Sequence, residues 1–191
     1  MRKIAITGSL AAGKSTVGLI LQEFGAYVVD ADEIVHSLLS PNTPIGQKVI
    51  ELLGSDIVAG NQLDRKKISE IVFSDPNKLR SLEKILHPAV KQEIDRRFDR
   101  VKDNPSYKFF VAEVPLLYEA NMQQDFDAVI AVVIDEATAK KRFPAGHQFA
   151  ERQARQIPSI DKASRADFVI TNNGDLNVLK SSVAMIVDRL I

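Results

Sequence analysis

Apolar residues follow two alternating rhythms along this chain. Short unbroken runs cover residues 3–7, 27–29, 108–114, 128–134 and 168–171. Runs of that length and continuity predict strands buried on both faces, as in a parallel sheet. Between them the apolar residues recur at helical spacing. Val17, Ile20, Leu21 and Phe24 predict a helix over 14–24, stopped at Gly25. Ile34, Val35, Leu38 and Leu39 predict a second, which Pro41 breaks. A short helix is expected over 137–143. The stripe Leu176, Leu179, Val183, Ile186, Val187 and Leu190 predicts a closing helix.

The middle of the chain reads as helix almost throughout. Residues 45–53, 68–72, 79–86 and 90–101 each carry an apolar face, and Pro88 is read as the break between the last two. Four helices exceed one crossover between neighbouring strands. Residues 41–104 are therefore expected to form a helical subdomain inserted in a core made of 1–40 and 105–191. The fold class is α/β: a doubly wound, five-stranded parallel sheet with a helical insert. Residues 144–158 are polar, basic and without period, and suit a short lid.

Composition narrows this picture. The 191 residues are 45% hydrophobic, enough for a sizeable core. Lys and Arg number 25 against 25 Asp and Glu, so no polyanion-binding surface is expected. Any affinity for phosphate has to come from local geometry. Cysteine is absent, which excludes disulfides and thiolate chemistry. The opening Met1-Arg2-Lys3 passes straight into a strand-like run, too short for a signal core or a membrane span. A cytoplasmic location, with no membrane and no nucleic acid as partner, is the expectation.

The chemistry starts at Gly8-Ser9-Leu10-Ala11-Ala12-Gly13-Lys14-Ser15-Thr16. It matches the Walker A pattern G-x-x-x-x-G-K-[ST] and lies between a predicted strand and a predicted helix. Backbone amides of such a loop turn inward and make a nest for phosphate oxygens. The helix start adds unpaired donors and partial positive charge. Lys14 can reach the β- and γ-phosphates and the Ser15 hydroxyl can ligate magnesium. Ala11 and Ala12 stand where helical φ is expected. The motif implies nucleotide binding and leaves a kinase, a GTPase-type switch and an ATPase motor open.

Carboxylates and arginines narrow the choice. Asp30 and Asp32 follow the second predicted strand, and Glu113 ends the third. Carboxyl ends of parallel strands face the ligand crevice. A kinase needs an acceptor for the proton of the attacking hydroxyl, and Asp32 is the preferred candidate. Asp30 or Asp32 capping the helix is the simpler alternative. Glu113 stands where an acid could hold magnesium through water or meet substrate. Arg142, Arg152 and Arg155 are candidates for neutralising a transferring phosphoryl group. His36 and His147 read as surface residues. The guanine signature N-K-x-D is missing, since Thr171-Asn172-Asn173-Gly174-Asp175 lacks the lysine.

A series of motifs in order along nearly the whole chain resembles one family, the dephospho-coenzyme A kinases. After the phosphate loop come Asp30-Ala31-Asp32, then Pro41-Asn42-Thr43-Pro44, then Leu63-Asp64-Arg65 with Val72-Phe73. Leu86-His87-Pro88, Val114-Pro115-Leu116-Leu117-Tyr118-Glu119 and Arg165-Ala166-Asp167-Phe168-Val169-Ile170 with Asn172-Asn173-Gly174 follow. The resemblance implies ATP-dependent phosphorylation of the ribose 3′-hydroxyl of dephospho-coenzyme A, the last step of coenzyme A synthesis. It implies magnesium with ATP, and a core, a helical substrate domain and a lid. By the same resemblance Asp32, Lys14 and Arg142 are catalytic. Residues 11–16 and Asn173 bind ATP, and Arg65, His87, Pro88, Glu113 and Leu117 lie at the acceptor. The chain departs from the family in a loop poorer in glycine, in Glu113 where Asp is usual, and in a short lid. A nucleoside or nucleoside monophosphate kinase is the nearest rival, though a four-helix insert is generous for so small an acceptor.

Overall fold

The structure, a computed structural model, describes residues 1–142 and 156–190. The chain divides into two compact units, Met1–Asp30 with Phe98–Ile191, and Ala31–Arg97.

The first unit is built on five parallel strands: β1 (Arg2–Gly8), β2 (Ala26–Asp30), β5 (Phe109–Glu113), β6 (Ala128–Val133) and β7 (Phe168–Thr171). Their order across the sheet is β2-β5-β1-β6-β7. β1 pairs with β5 on one side and β6 on the other, so every residue from Lys3 to Gly8 is buried. The chain fills the β2 side first and then crosses over β1 to β6. The carboxyl end of β1 is therefore the topological switch point, where open parallel sheets bind ligands.

Alternation assigns the faces. Ile4, Ile6, Phe109, Val111, Ile130, Val132 and Ile170 share one core cluster. They meet Val17, Ile20 and Leu21 of α1 (Lys14–Glu23) and the stripe Leu179, Val183, Ile186, Val187 of α8 (Leu176–Leu190). On the opposite face Phe110 is fully buried and packs edge-on to Phe98 at 5.4 Å and stacked on Tyr27 at 5.9 Å. Among the described residues this unit also holds two short α-helices, α6 (Glu136–Arg142) and α7 (Ser159–Arg165). α7 was not legible in the sequence: its seven residues hold one buried side chain, and that is Lys162.

The second unit is helical: α2 (Ala31–Leu38), α3 (Pro44–Leu53), α4 (Arg65–Ser74) and most of α5 (Pro76–Val101). A two-stranded hairpin, β3 (Val58–Ala59) and β4 (Gln62–Leu63), interrupts them. Side-chain caps set the starts. Thr43 accepts from Gly46 N–H ahead of α3, with Pro44 at its first turn. Asp64 accepts from Lys66 and Lys67 ahead of α4. Leu39, Val49, Ile57, Leu63, Ile68, Val72 and Leu82 make its own core. Leu39 and the partly buried Val35 pack there, which is why this unit begins at Ala31 rather than at residue 41.

Pro88 does not end a helix. α5 runs through it as one 26-residue element. A proline in a helix interior forfeits one hydrogen bond and crowds the preceding turn, at about 3 kcal/mol. Burial of Leu82, Val90 and Ile94 on either side, each worth about 1.5–3 kcal/mol, outweighs that cost.

Candidate active site

The site grows from the carboxyl end of β1. Gly8 sits at φ 146°, and a Cβ there would lie 2.0 Å from the carbonyl oxygen of Val132 on β6. Only glycine lets the chain leave the sheet at this angle. Ser9 N–H donates back to that same carbonyl at 3.3 Å. The loop then folds on itself, with Ala12 N–H donating to Ser9 O at 3.3 Å and Lys14 Nζ to Ser9 O at 3.1 Å. Lys14 is 8% exposed, so its ammonium is held across the loop.

Gly13 precedes α1 in a left-handed conformation, φ 87°, and as a glycine offers the helix no capping side chain. The first amides of α1 therefore take no capping hydroxyl from Gly13, an arrangement that suits anion binding at a helix start. Ala11 departs from expectation. Its φ is 60°, left-handed rather than helical, in a residue whose Cβ disfavours that region.

Ser15 Oγ donates to Glu113 Oε1 at 3.1 Å, across 98 positions of sequence. Glu113 is 7% exposed and Ser15 lies open. The register sets Asp30 beside Glu113, so two acids stand together at the carboxyl edge of the sheet. The donor set is hard oxygen and suits a small divalent cation that keeps several waters. Two adjacent ligands of an octahedral ion at about 2.1 Å stand about 3 Å apart, and the Ser15–Glu113 pair matches that spacing.

Three side chains outside the predicted set brace this region. Asn172, 6% exposed, donates from Nδ2 to Ala12 O at 2.8 Å. Lys162, fully buried, donates to Pro115 O at 2.7 Å and pairs with Glu119 Oε1 at 3.0 Å. Burial pushes the Lys162 ammonium below the ordinary lysine value, and the Glu119 carboxylate works against that shift. Glu119 Oε1 also accepts from Ile157 N–H at 2.8 Å. The sequence signal for Glu119 and Asn172 was their place in the Val114–Glu119 and Arg165–Gly174 motifs; Lys162 lies in neither, and nothing in spacing revealed its pairing with Glu119.

The other predicted residues fall as follows. Asn173 is exposed, and its Oδ1 accepts from Asp135 N–H at 3.0 Å. Thr16 lies in the first turn of α1. Arg142 ends α6, exposed, behind Lys140 and Lys141. Leu117 has no exposed surface. Arg152, Arg155 and His147 lie outside the described residues. In the helical unit, Asp32, Glu33, His36, Ser37 and Arg65 line one open cleft. Arg65 donates to His36 Nδ1 at 3.3 Å, so His36 has a partner that its surface reading missed. His87 is half-buried and Pro88 exposed on α5, and neither lines that cleft.

A phosphate loop at the switch point of a five-stranded parallel sheet, with a lysine folded over it and a hydroxyl bonded to a strand-end acid, defines a P-loop nucleotide-binding fold of the small-kinase class. The dephospho-CoA kinase family model matches residues 2–177. The chain belongs to the dephospho-CoA kinase family. A dephospho-CoA kinase of Protochlamydia amoebophila is 46% identical over 196 aligned residues, covering 100% of this chain and 97% of that protein. Among solved structures, TT1252 from Thermus thermophilus matches with a TM-score of 0.83 at 28% identity, over 100% of this chain and 98% of that one. The dephospho-CoA kinase from Campylobacter jejuni matches with a TM-score of 0.71 at 26% identity, over 98% and 96%.

Proposed function

We propose that this chain transfers the γ-phosphoryl group of ATP to the ribose 3′-hydroxyl of dephospho-CoA, giving CoA and ADP. The observation that carries the reading is the Ser15–Glu113 bond at 3.1 Å beside a lysine-crossed phosphate loop, in a chain of this family. The hydroxyl oxygen forms a bond to the γ-phosphorus. The bond from that phosphorus to the bridging oxygen breaks, and ADP leaves with the electron pair. Asp32 takes the hydroxyl proton and aims the oxygen in line. Loop amides of residues 11–16 and Lys14 hold the phosphates, and Asn173 stands at the base side. Arg142 neutralises charge on the transferring group.

Magnesium belongs to this reading. Ser15 and Glu113 are the residues that would hold it, directly or through water. When bound it would offset the charge on the β- and γ-phosphate oxygens. Arg65 suits the diphosphate of the acceptor, because guanidinium meets phosphate in a two-point fork. His87 and Pro88 are assigned to shaping the acceptor region, whereas Leu117, with no exposed surface, is left to core packing. The reading also assigns the protein to the cytoplasm, where ATP is supplied. Among the described residues no helix is long and apolar enough to cross a membrane.

The test is incubation with ATP–magnesium and a panel of phosphoryl acceptors, reading ADP release. Dephospho-CoA is expected to be turned over well above nucleosides and nucleoside monophosphates. Turnover of a nucleoside monophosphate with none on dephospho-CoA would overturn the acceptor and leave a kinase. Binding GTP and ATP equally, with no turnover on any acceptor, would overturn both.

A further inference from the structure

Asn172 follows β7 directly and lies outside the phosphate-loop motif. Its backbone N–H donates to Val133 O at 2.8 Å, which seats the residue against the end of β6. Its side-chain amide then reaches 160 positions back to the carbonyl of Ala12 at 2.8 Å. A carbonyl only accepts, so the NH2 end of the amide faces it. The approach is close: a Cβ on residue 13 would lie 2.5 Å from Asn172 Nδ2. Glycine at 13 is thus required both by its φ of 87° and by the presence of this side chain.

A trans peptide is planar, and its C=O and N–H point in opposite directions. Holding the carbonyl of residue 12 therefore holds the N–H of residue 13 turned the other way. The neighbouring Asn173 accepts from Asp135 N–H, and Asp135 in turn accepts from Thr138 N–H at 2.8 Å in the first turn of α6. The Asn172-Asn173 pair so ties the phosphate loop to the β6–α6 junction.

We infer that Asn172 is a positioning residue for phosphoryl transfer. It acts through the Ala12–Gly13 peptide, holding the Gly13 N–H aimed at the phosphate oxygens of the bound nucleotide. This rests on the proposed kinase reading for its link to turnover, and on geometry alone for the aim of the amide.

The experiment uses the full chain labelled with nitrogen-15. The Gly13 amide proton is followed on saturation with ADP, in the unaltered chain and in Asn172→Leu and Asn172→Asp. Leucine removes the donor at similar volume, and aspartate keeps the shape but sets an acceptor against Ala12 O. A downfield move is expected in the unaltered chain as the amide meets phosphate, with most of it lost in both variants. The KM for ATP is expected to rise about tenfold or more, with the KM for dephospho-CoA within about twofold. If neither variant folds, the native chain decides: hydrogen exchange at Asn172 Nδ2 should slow when ADP binds. A full Gly13 shift with an unchanged KM for ATP in the variants would overturn the inference. So would a parallel rise of both KM values with a lowered Tm, or exchange indifferent to ADP. Should the unaltered chain not phosphorylate dephospho-CoA, the proposed acceptor falls and the Gly13 measurement still stands.

Discussion

Ala11 holds a left-handed φ of 60° in a loop whose other left-handed position, Gly13, is glycine. For an L-residue with a Cβ that costs about 1 kcal/mol. An Ala→Gly change ordinarily costs about 0.5–1 kcal/mol through the entropy of the unfolded chain. At position 11 relief of strain offsets it. Ala11→Gly is therefore expected to leave Tm unchanged or slightly raised, and thermal unfolding checks this. A loss of several degrees would show that the loop is not strained there. Asp32 poses a separate question at the same scale. It lies exposed in the first turn of α2, where a carboxylate also favours the helix start. Asp32→Ala is expected to keep ATP binding, cost no more than about 1 kcal/mol of stability, and lose at least about 100-fold in kcat. Near-full activity would reduce Asp32 to a helix-end charge.

Among the elements, α5 has the most to explain. Its mean apolar character is low and Pro88 sits inside it, yet it runs 26 residues. Ion pairs along its surface add to the burial that carries it. Glu93 accepts from Arg96 at 2.6 Å and from Arg97 at 2.8 Å, at i+3 and i+4. The side-chain bond from Arg96, partly opposed by burial and joined by Arg97, draws the Glu93 carboxyl from an ordinary 4.5 down to about 2. A folded-state value below the unfolded one means stability that is complete above pH 4.5 and lost as pH falls towards 2. Solvent screening limits the gain to about 1 kcal/mol. Glu93→Gln is expected to lower stability by that amount at pH 7, with the gap from the unaltered chain closing between pH 4.5 and 2. Denaturant unfolding across that range measures it. A gap independent of pH would assign the loss to packing instead.

At the scale of the whole molecule, the buried Lys162–Glu119 pair joins α7 to the segment after β5. Pro115 O, which takes the Lys162 bond, also accepts from Thr7 Oγ1 on β1 at 3.3 Å. Removing one member leaves a buried charge unpaired. Lys162→Met is expected to cost about 3–5 kcal/mol. The double change Lys162→Met with Glu119→Leu is expected to cost less than Lys162→Met alone. Equilibrium unfolding of the single and double variants tests this, and simple additivity would mean the pair is not coupled.

Much of this molecule is legible in its sequence. The five strands, α1, α8 and the phosphate loop follow from residue order, because strand and helix periods and the glycine–lysine–hydroxyl spacing are local properties of the backbone. The continuity of α5 through Pro88 was not, because burial on both sides of a proline depends on what packs there. α7 and Lys162 were hidden for the same reason: a lysine in a polar stretch reads as solvated until a carboxylate 43 positions away is brought to 3.0 Å. Residue order alone determined that a glycine–lysine–hydroxyl loop would stand at the end of the first strand. The folded chain decided how that loop is held. The Ser15–Glu113 and Asn172–Ala12 bonds join residues 98 and 160 positions apart, and only a sheet that lays β1 beside β5 and β6 can bring them within hydrogen-bond reach.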